Sequence, residues 1–107
     1  MNYRIELAAT AKADIRETTR WLRDEASQAV ADRWLAGLDK AMATLASCPL
    51  LCPVAAENDK FDVEIRELLH GRKKNKYRII FTIRDDQVFI LYVRHVVRDE
   101  IEPETAP

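Results

Sequence analysis

Two alternating apolar segments, separated by a pair of aspartates, most constrain what this chain can fold into. Every second residue is apolar on both sides of the pair, giving one face made of Tyr77, Ile79, Phe81, Ile83, Val88, Ile90 and Tyr92. A period of two is typical of a strand with one buried face. Because Asp85-Asp86 suits a two-residue turn, residues 77–92 predict an antiparallel hairpin.

The register of this hairpin determines which polar side chains meet. With Asp85-Asp86 as the loop, the predicted facing pairs are Arg84 and Gln87, Thr82 and Phe89, Ile80 and Leu91, Arg78 and Val93, and Lys76 and His95. Arg78 and His95 then lie on the face turned away from Tyr77, as diagonal neighbours within reach of one phosphate or acidic group. The predicted neighbours of Arg78 are cationic, so this register offers it no ion-pair partner.

The first half of the chain predicts a strand and two helices. Residues 3–7 alternate as a short strand, and Thr10 offers a side-chain oxygen to cap the helix that follows. Ser27 begins a second helix, which must end before Pro49 because proline lacks the backbone donor that a helix needs. Two adjacent helices of this length predict a helical hairpin.

A further strand is predicted at residues 61–66, after a loop. Val63 and Ile65 are assigned to its core side, so Arg66 would share the open side with Arg78. The predicted fold class is α+β: an N-terminal strand, a two-helix hairpin and a three-stranded antiparallel meander, forming one sheet packed on the helices. Residues 1–98 are predicted to be one domain, followed by an acidic tail at residues 99–107.

Composition and charge narrow the function classes. A chain of 107 residues with 48% hydrophobic content can form one core without disulfides or metal, and it contains no apolar run of membrane-spanning length. Its start does not resemble a secretory signal, so a reducing cytoplasm is expected, with Cys48 and Cys52 as thiols. Neither His70 nor His95 lies at a spacing that completes a metal site, and no cofactor is predicted.

The net charge of −1 conceals a basic segment. Residues 66–98 hold nine Lys or Arg against three Asp or Glu, whereas residues 1–65 hold eight against eleven, and residues 99–107 hold four acids and no base. Such a segment favours an anionic or acidic partner. The residues predicted to bind this partner, called the target below, are Arg72, Lys73, Lys74, Lys76 and Arg98.

Three motifs follow one another along the chain: Ile65-Arg66-Glu67-Leu68-Leu69, Lys76-Tyr77-Arg78-Ile79-Ile80-Phe81 and Arg94-His95-Val96-Val97-Arg98-Asp99. In this order they resemble those of the RelE/ParE toxin superfamily, which includes plasmid stabilisation proteins. The resemblance covers about residues 3–99. It implies a type II toxin that stops growth unless a co-expressed antitoxin wraps its helices and sheet. Trp21 and Trp34 are predicted to be core residues or to line an antitoxin groove.

Two mechanisms divide this superfamily, and the resemblance implies one of them for this chain. A RelE-like toxin cleaves mRNA on the ribosome, in which case Arg78 and Arg66 would steady the phosphate, with help from Lys74 or Lys76, and His95 would act as acid or base. A ParE-like toxin binds DNA gyrase and traps cleaved DNA without chemistry of its own. The third motif and the near-neutral total charge favour the ParE-like mechanism. A third interpretation is a chain that retains only antitoxin binding, and both a homodimer and a toxin–antitoxin hetero-oligomer are compatible with the sequence.

Overall fold

The computed structural model describes residues 2–72 and 75–97, which form an α+β fold with one four-stranded sheet. The elements in chain order are β1 (Arg4–Leu7), α1 (Ala9–Glu25), α2 (Gln28–Thr44), β2 (Arg66–His70), β3 (Tyr77–Arg84) and β4 (Gln87–His95). The sheet order is β1-β4-β3-β2, and β2, β3 and β4 form the predicted antiparallel meander. The predicted fold class is therefore confirmed, whereas the predicted tail at residues 99–107 lies outside the described residues.

The first strand, β1, forms the edge of the sheet opposite β2. β1 pairs with β4 in parallel, with Ile5 opposite Val88 and Leu7 opposite Ile90. Parallel neighbours need a long connection between them. Here the segment of the chain that connects β1 to β4 contains both helices, β2 and β3. The first and last elements are thus neighbours in the sheet.

The two helices differ in how they begin. Ser27 caps α2 as predicted, since its hydroxyl accepts a hydrogen bond from the N–H of Val30 at 3.1 Å. The predicted cap at Thr10 is wrong: α1 begins at Ala9, and no side chain caps it. The Thr10 hydroxyl instead donates to the carbonyl of Leu91 in β4, at 2.5 Å.

Leu91 marks the place where the predicted register of the hairpin fails. The pairs of Arg84 with Gln87 and of Thr82 with Phe89 are confirmed, but Ile80 faces Tyr92, and Leu91 has no partner on β3. This β-bulge adds one residue to β4, so every later side chain changes face relative to the prediction. Two facing pairs follow from it, Arg78 with Arg94 and Tyr77 with His95.

Both faces of β3 are buried, which the alternating pattern did not indicate. On the helical face, the fully buried side chains include Leu38, Leu45, Ile79, Phe81, Val88 and Ile90. On the other face, Ala55, Ile65, Ile80 and Tyr92 form a second cluster. The predicted strand at residues 61–66 is wrong, because β2 begins only at Arg66. Residues 53–65 instead form a loop, called the cover loop here, that contributes to this second cluster.

We predict that Thr10→Val lowers the free energy of unfolding by about 1–3 kcal/mol, because it leaves the Leu91 carbonyl at the bulge without its donor. Urea denaturation of the purified chain measures this change. Thr44→Val is the matched control, since the exposed Thr44 hydroxyl bonds only within its own helix, to the Ala41 carbonyl. Equal losses in the two variants would contradict a special role for the Thr10 contact.

Candidate functional site

Arg78 lies at the centre of an ion network between β3 and the cover loop. Its Nη1 and Nη2 donate to the two carboxylate oxygens of Glu57 at 2.7 and 2.6 Å, and its Nε donates to Glu67. The side chains of Arg78, Glu57 and Glu67 are only 11%, 9% and 21% exposed. The hydrogen bonds that Arg78 donates to Glu57 are the main cause of the raised pKa of Arg78, and desolvation opposes them. The guanidinium is therefore permanently charged and already paired.

This pairing corrects the prediction that Arg78 has only cationic neighbours. Glu67 comes from the adjacent strand, where it faces Ile80 and lies beside Arg78. Glu57 comes from the cover loop, whose path over the sheet cannot be read from local sequence patterns. Arg78, which was predicted to reach a phosphate or an acidic group, is thus paired within the protein itself.

Arg66 lies on the opposite face of the sheet from Arg78, contrary to the prediction. It faces Phe81, whose side chain belongs to the helical core. Its Nη1 donates to the carbonyl of Cys52 at 2.7 Å, and its Nη2 pairs with Glu64 at 2.9 Å. Arg66 thus fixes the segment before β2 and does not join Arg78.

His95 also lies on the helical face, so the predicted sharing of one face by Arg78 and His95 is wrong. The imidazole packs against Tyr77 with ring centroids 5.2 Å apart and an interplanar angle of 86°. Its Nδ1 accepts a hydrogen bond from the N–H of Val97 at 3.2 Å. The physical reason is the bulge at Leu91, which turns the end of β4 by one residue.

The three residues predicted for ribonuclease chemistry are therefore dispersed. Arg66 and His95 lie on the helical face, near opposite ends of different strands, and Arg78 lies under the cover loop. Their roles in catalysis stay predictions, but the geometry offers no common point where all three could contact one phosphate.

The basic turn after β2 carries the residues predicted to bind the target. Arg72 and Lys76 are exposed, whereas Lys73, Lys74 and Arg98 lie outside the described residues. Gly71 begins this turn with φ of 114°, and a Cβ there would collide with the Asn75 carbonyl. The turn is thus fixed by glycine, and the described cations on it face solvent.

An aromatic cleft lies between the helices and the end of the sheet. It has a volume of about 960 Å³, and its walls include Trp21, Trp34, Tyr77, His95 and Val97. The rings of Trp34 and Tyr77 meet edge to face at 5.2 Å, and Trp21 remains 48% exposed. The indole N–H of Trp34 is buried and has no hydrogen-bond partner among the described residues. The structure thus brings together the two predicted antitoxin residues with Tyr77, which was predicted to face the helices, and with His95, which was predicted on the other face of the sheet.

Two thiols lie at the other end of α2. Cys48 and Cys52 are free, as predicted, and burial raises the pKa of the Cys52 thiol. Within residues 2–72 and 75–97, no three His, Cys, Asp or Glu side chains are grouped as a metal site requires. In the same ranges, no helix is long and apolar enough to span a bilayer.

Comparison with known proteins identifies the family. Residues 5–100 match the sequence model described as "ParE toxin of type II toxin-antitoxin system, parDE". The chain belongs to the ParE toxin family. As a ParE-like toxin, it is expected to have an antitoxin partner, since the family is defined by that pairing.

A solved structure shares the ParE-like fold of this chain. It is titled "Chromosomal ParDE TA system from P. aeruginosa", and it superposes with a TM-score of 0.74 at 14% sequence identity. The alignment covers 88% of this chain and 96% of that chain. No curated protein sequence matches this chain. At this identity the likeness supports the fold alone and does not assign roles to individual residues.

We predict that Arg78→Ala lowers the free energy of unfolding by about 3–5 kcal/mol, because it leaves two carboxylates without their cation in a largely buried site. Thermal and urea unfolding measure the loss. The control is Arg4→Ala, which breaks an exposed ion pair with Asp86 and should change stability by less than about 1 kcal/mol. A small effect of Arg78→Ala would show that the network does not hold the cover loop.

Proposed function

We propose that this ParE-family toxin acts in the cytoplasm by binding DNA gyrase and trapping its cleaved-DNA state, without catalysing a covalent step itself. The observation that carries this proposal is the pairing of Arg78, whose three nitrogens all donate to carboxylates. A cation that is already neutralised contributes little to stabilising a phosphate.

The chemical requirements of RNA cleavage strengthen this choice. Attack by a 2′-hydroxyl on a phosphate needs a base, an acid and a cation that converge on the reacting atoms. The candidates for these roles lie on different faces of the sheet, and the guanidinium of Arg78 would have to exchange a bidentate carboxylate for the phosphate. Binding to a protein target requires no such convergence, so the geometry favours the non-enzymatic mechanism over the ribonuclease alternative.

We expect the purified chain to inhibit supercoiling by gyrase and to increase the amount of gyrase-cleaved plasmid DNA, because a bound toxin would hold the enzyme in its cleaved state. Agarose gels of reactions with gyrase, plasmid and ATP measure both effects. The parallel reaction contains translating ribosomes and mRNA, which should stay intact. Unchanged supercoiling together with cut mRNA would contradict the proposal and favour the ribonuclease.

The aromatic cleft supports a separate role in neutralisation. We infer that Trp21 and Trp34 contact the antitoxin there, because an apolar cleft of about 960 Å³ suits the apolar side of an amphipathic helix. The rim residue Trp21 is the more accessible of the two indoles. Large aromatic side chains of this kind often dominate the energy of an interface.

Trp21→Ala should weaken antitoxin binding by at least roughly tenfold, because it removes an exposed indole from the rim while leaving the core intact. Isothermal titration of the purified chain with the antitoxin encoded beside it measures the change. Lys12→Ala, an exposed position on the same helix, serves as the control and should bind within about twofold. If the two variants bind alike, the cleft is not the antitoxin site.

A further inference from the structure

An exposed apolar patch lies at the outer edge of β2. It consists of Leu50 and Leu51 in the turn after α2, Val54 in the cover loop and Leu69 in β2. Leu51 is 83% exposed and Leu69 is 51% exposed. Single exposed apolar residues are ordinary, but a contiguous group of them often marks an interaction site.

The backbone of β2 is open beside this patch. On the outer side, the cover loop pairs with the start of the strand: the Ala55 N–H donates to the Ile65 carbonyl at 2.9 Å, and the Glu67 N–H donates to the Pro53 carbonyl at 3.0 Å. In an antiparallel strand, alternate residues direct both backbone groups to the same side. Because the N–H of Glu67 points outward, the N–H and C=O of Leu69, two residues later, also point outward, and those of Leu68 and His70 point inward to β3.

The outward pairing stops abruptly after Glu67. Among residues 2–72 and 75–97, no hydrogen bond takes up the outward N–H or C=O of Leu69. An unpaired strand edge is a template for one more strand, and proteins commonly bind extended peptides in this way. The edge therefore defines the backbone conformation of its occupant, which must be extended.

A shallow apolar cleft next to the edge can accept alternate side chains of such a strand. Its volume is about 500 Å³, and its walls come from the end of α2, the turn with Leu51 and Cys52, and residues Leu68 and Leu69 of β2. An extended segment pairing with Leu69 would direct every second side chain toward one side of the sheet. The cleft thus favours apolar residues at alternate positions of the occupant.

The charge at the end of the edge defines the rest of the occupant. β2 ends at His70 and leads directly into the basic turn, where Arg72 is exposed. Lys76, on the other side of the same turn, is exposed as well. A carboxylate on the occupant would therefore meet complementary charge next to the last backbone hydrogen bond.

We propose that the outer edge of β2 and its apolar patch bind an extended segment of the toxin's target protein, which adds one strand to the sheet and directs a carboxylate toward Arg72. This rests on the proposed function, because it assumes that the chain acts by binding a protein. The surface is continuous with the basic turn that the sequence assigns to target binding. The aromatic cleft inferred for the antitoxin takes Val30 and Trp34 from the first half of α2, and Asn75 of the basic turn also lines it. The apolar cleft beside β2 takes Thr44 from the end of the same helix.

Leu69→Pro tests the strand addition most directly. Proline removes the outward N–H of residue 69, and β3 does not use that group, so β2 should keep its place in the sheet. Leu51→Ser removes apolar surface from the patch without touching the backbone edge. Val63→Ser is the matched control, because Val63 is an exposed apolar residue of the cover loop outside the patch.

The unchanged chain and the variants Leu69→Pro, Leu51→Ser, Arg72→Glu and Val63→Ser are induced in bacteria without antitoxin, and surviving colonies are counted. Survival should rise at least roughly tenfold for Leu69→Pro, Leu51→Ser and Arg72→Glu, and should equal that of the unchanged chain for Val63→Ser. Circular dichroism and thermal unfolding of each purified chain confirm that the fold is retained. If Leu69→Pro fails to fold, Leu51→Ser and Arg72→Glu decide the question.

Full growth arrest by folded Leu69→Pro, or by both Leu51→Ser and Arg72→Glu, would overturn the proposal. The gyrase assay separates this result from failure of the proposed function. If the unchanged chain arrests growth but leaves gyrase unaffected, the gyrase target is wrong, and the survival of the variants still decides whether the edge binds the target. If the unchanged chain does not arrest growth, both proposals are wrong.

Discussion

One arginine fixes the loop that covers one face of the sheet. The helices bury the other face of β3 by apolar packing, whereas the cover loop combines its apolar side chains Ile65 and Phe61 with the ion network of Arg78, Glu57 and Glu67. Removing charges from water is costly unless they are paired and hydrogen bonded, and here all three guanidinium nitrogens are. The network thus specifies where the loop lies, and the loop in turn pairs with the outer edge of β2 up to Glu67.

The same network favours the proposed non-enzymatic mechanism over phosphate cleavage. A strand arginine beside an open sheet face would be available to a substrate, whereas Arg78 is enclosed by a loop of its own chain. Two other surfaces of the described residues are open to partners, the aromatic cleft and the edge of β2 with its basic turn. The sites proposed for neutralisation and for action thus use different residues, but they approach each other at the basic turn, where Asn75 lines the aromatic cleft.

Local patterns predicted the elements that local chemistry determines. The Asp85-Asp86 turn, the first pairs of the hairpin, the Ser27 cap and the end of α2 before Pro49 all depend on residues close together in sequence. The end of β4 was predicted on the wrong face because strict alternation was assumed through Leu91-Tyr92-Val93, three apolar residues in a row. Such a run is compatible with a bulge, but its position depends on the hydrogen bond from Thr10, which is 81 residues away.

Local patterns did not predict other features for the same reason, because these features depend on distant parts of the chain. Glu57 is one acid among several in a loop, and only the folded path of that loop brings it to Arg78. The parallel pairing of β1 with β4 gives no signal in either strand. Trp21 and Trp34 could be assigned to a common groove by helical position, and Tyr77 was predicted to face the helices, but the contribution of His95 to that groove required the shifted register.

The parallel pairing of β1 with β4 has a consequence for synthesis. The backbone N–H of Arg4 donates to the carbonyl of Asp86, and Ile5 faces Val88. The first strand therefore cannot join the sheet until β4 has been synthesised. Contacts between such distant segments form late and slowly, because the intervening loop must close first. The pairing of β1 with β4 therefore forms late during synthesis. A partner translated nearby can bind the toxin before its sheet is complete.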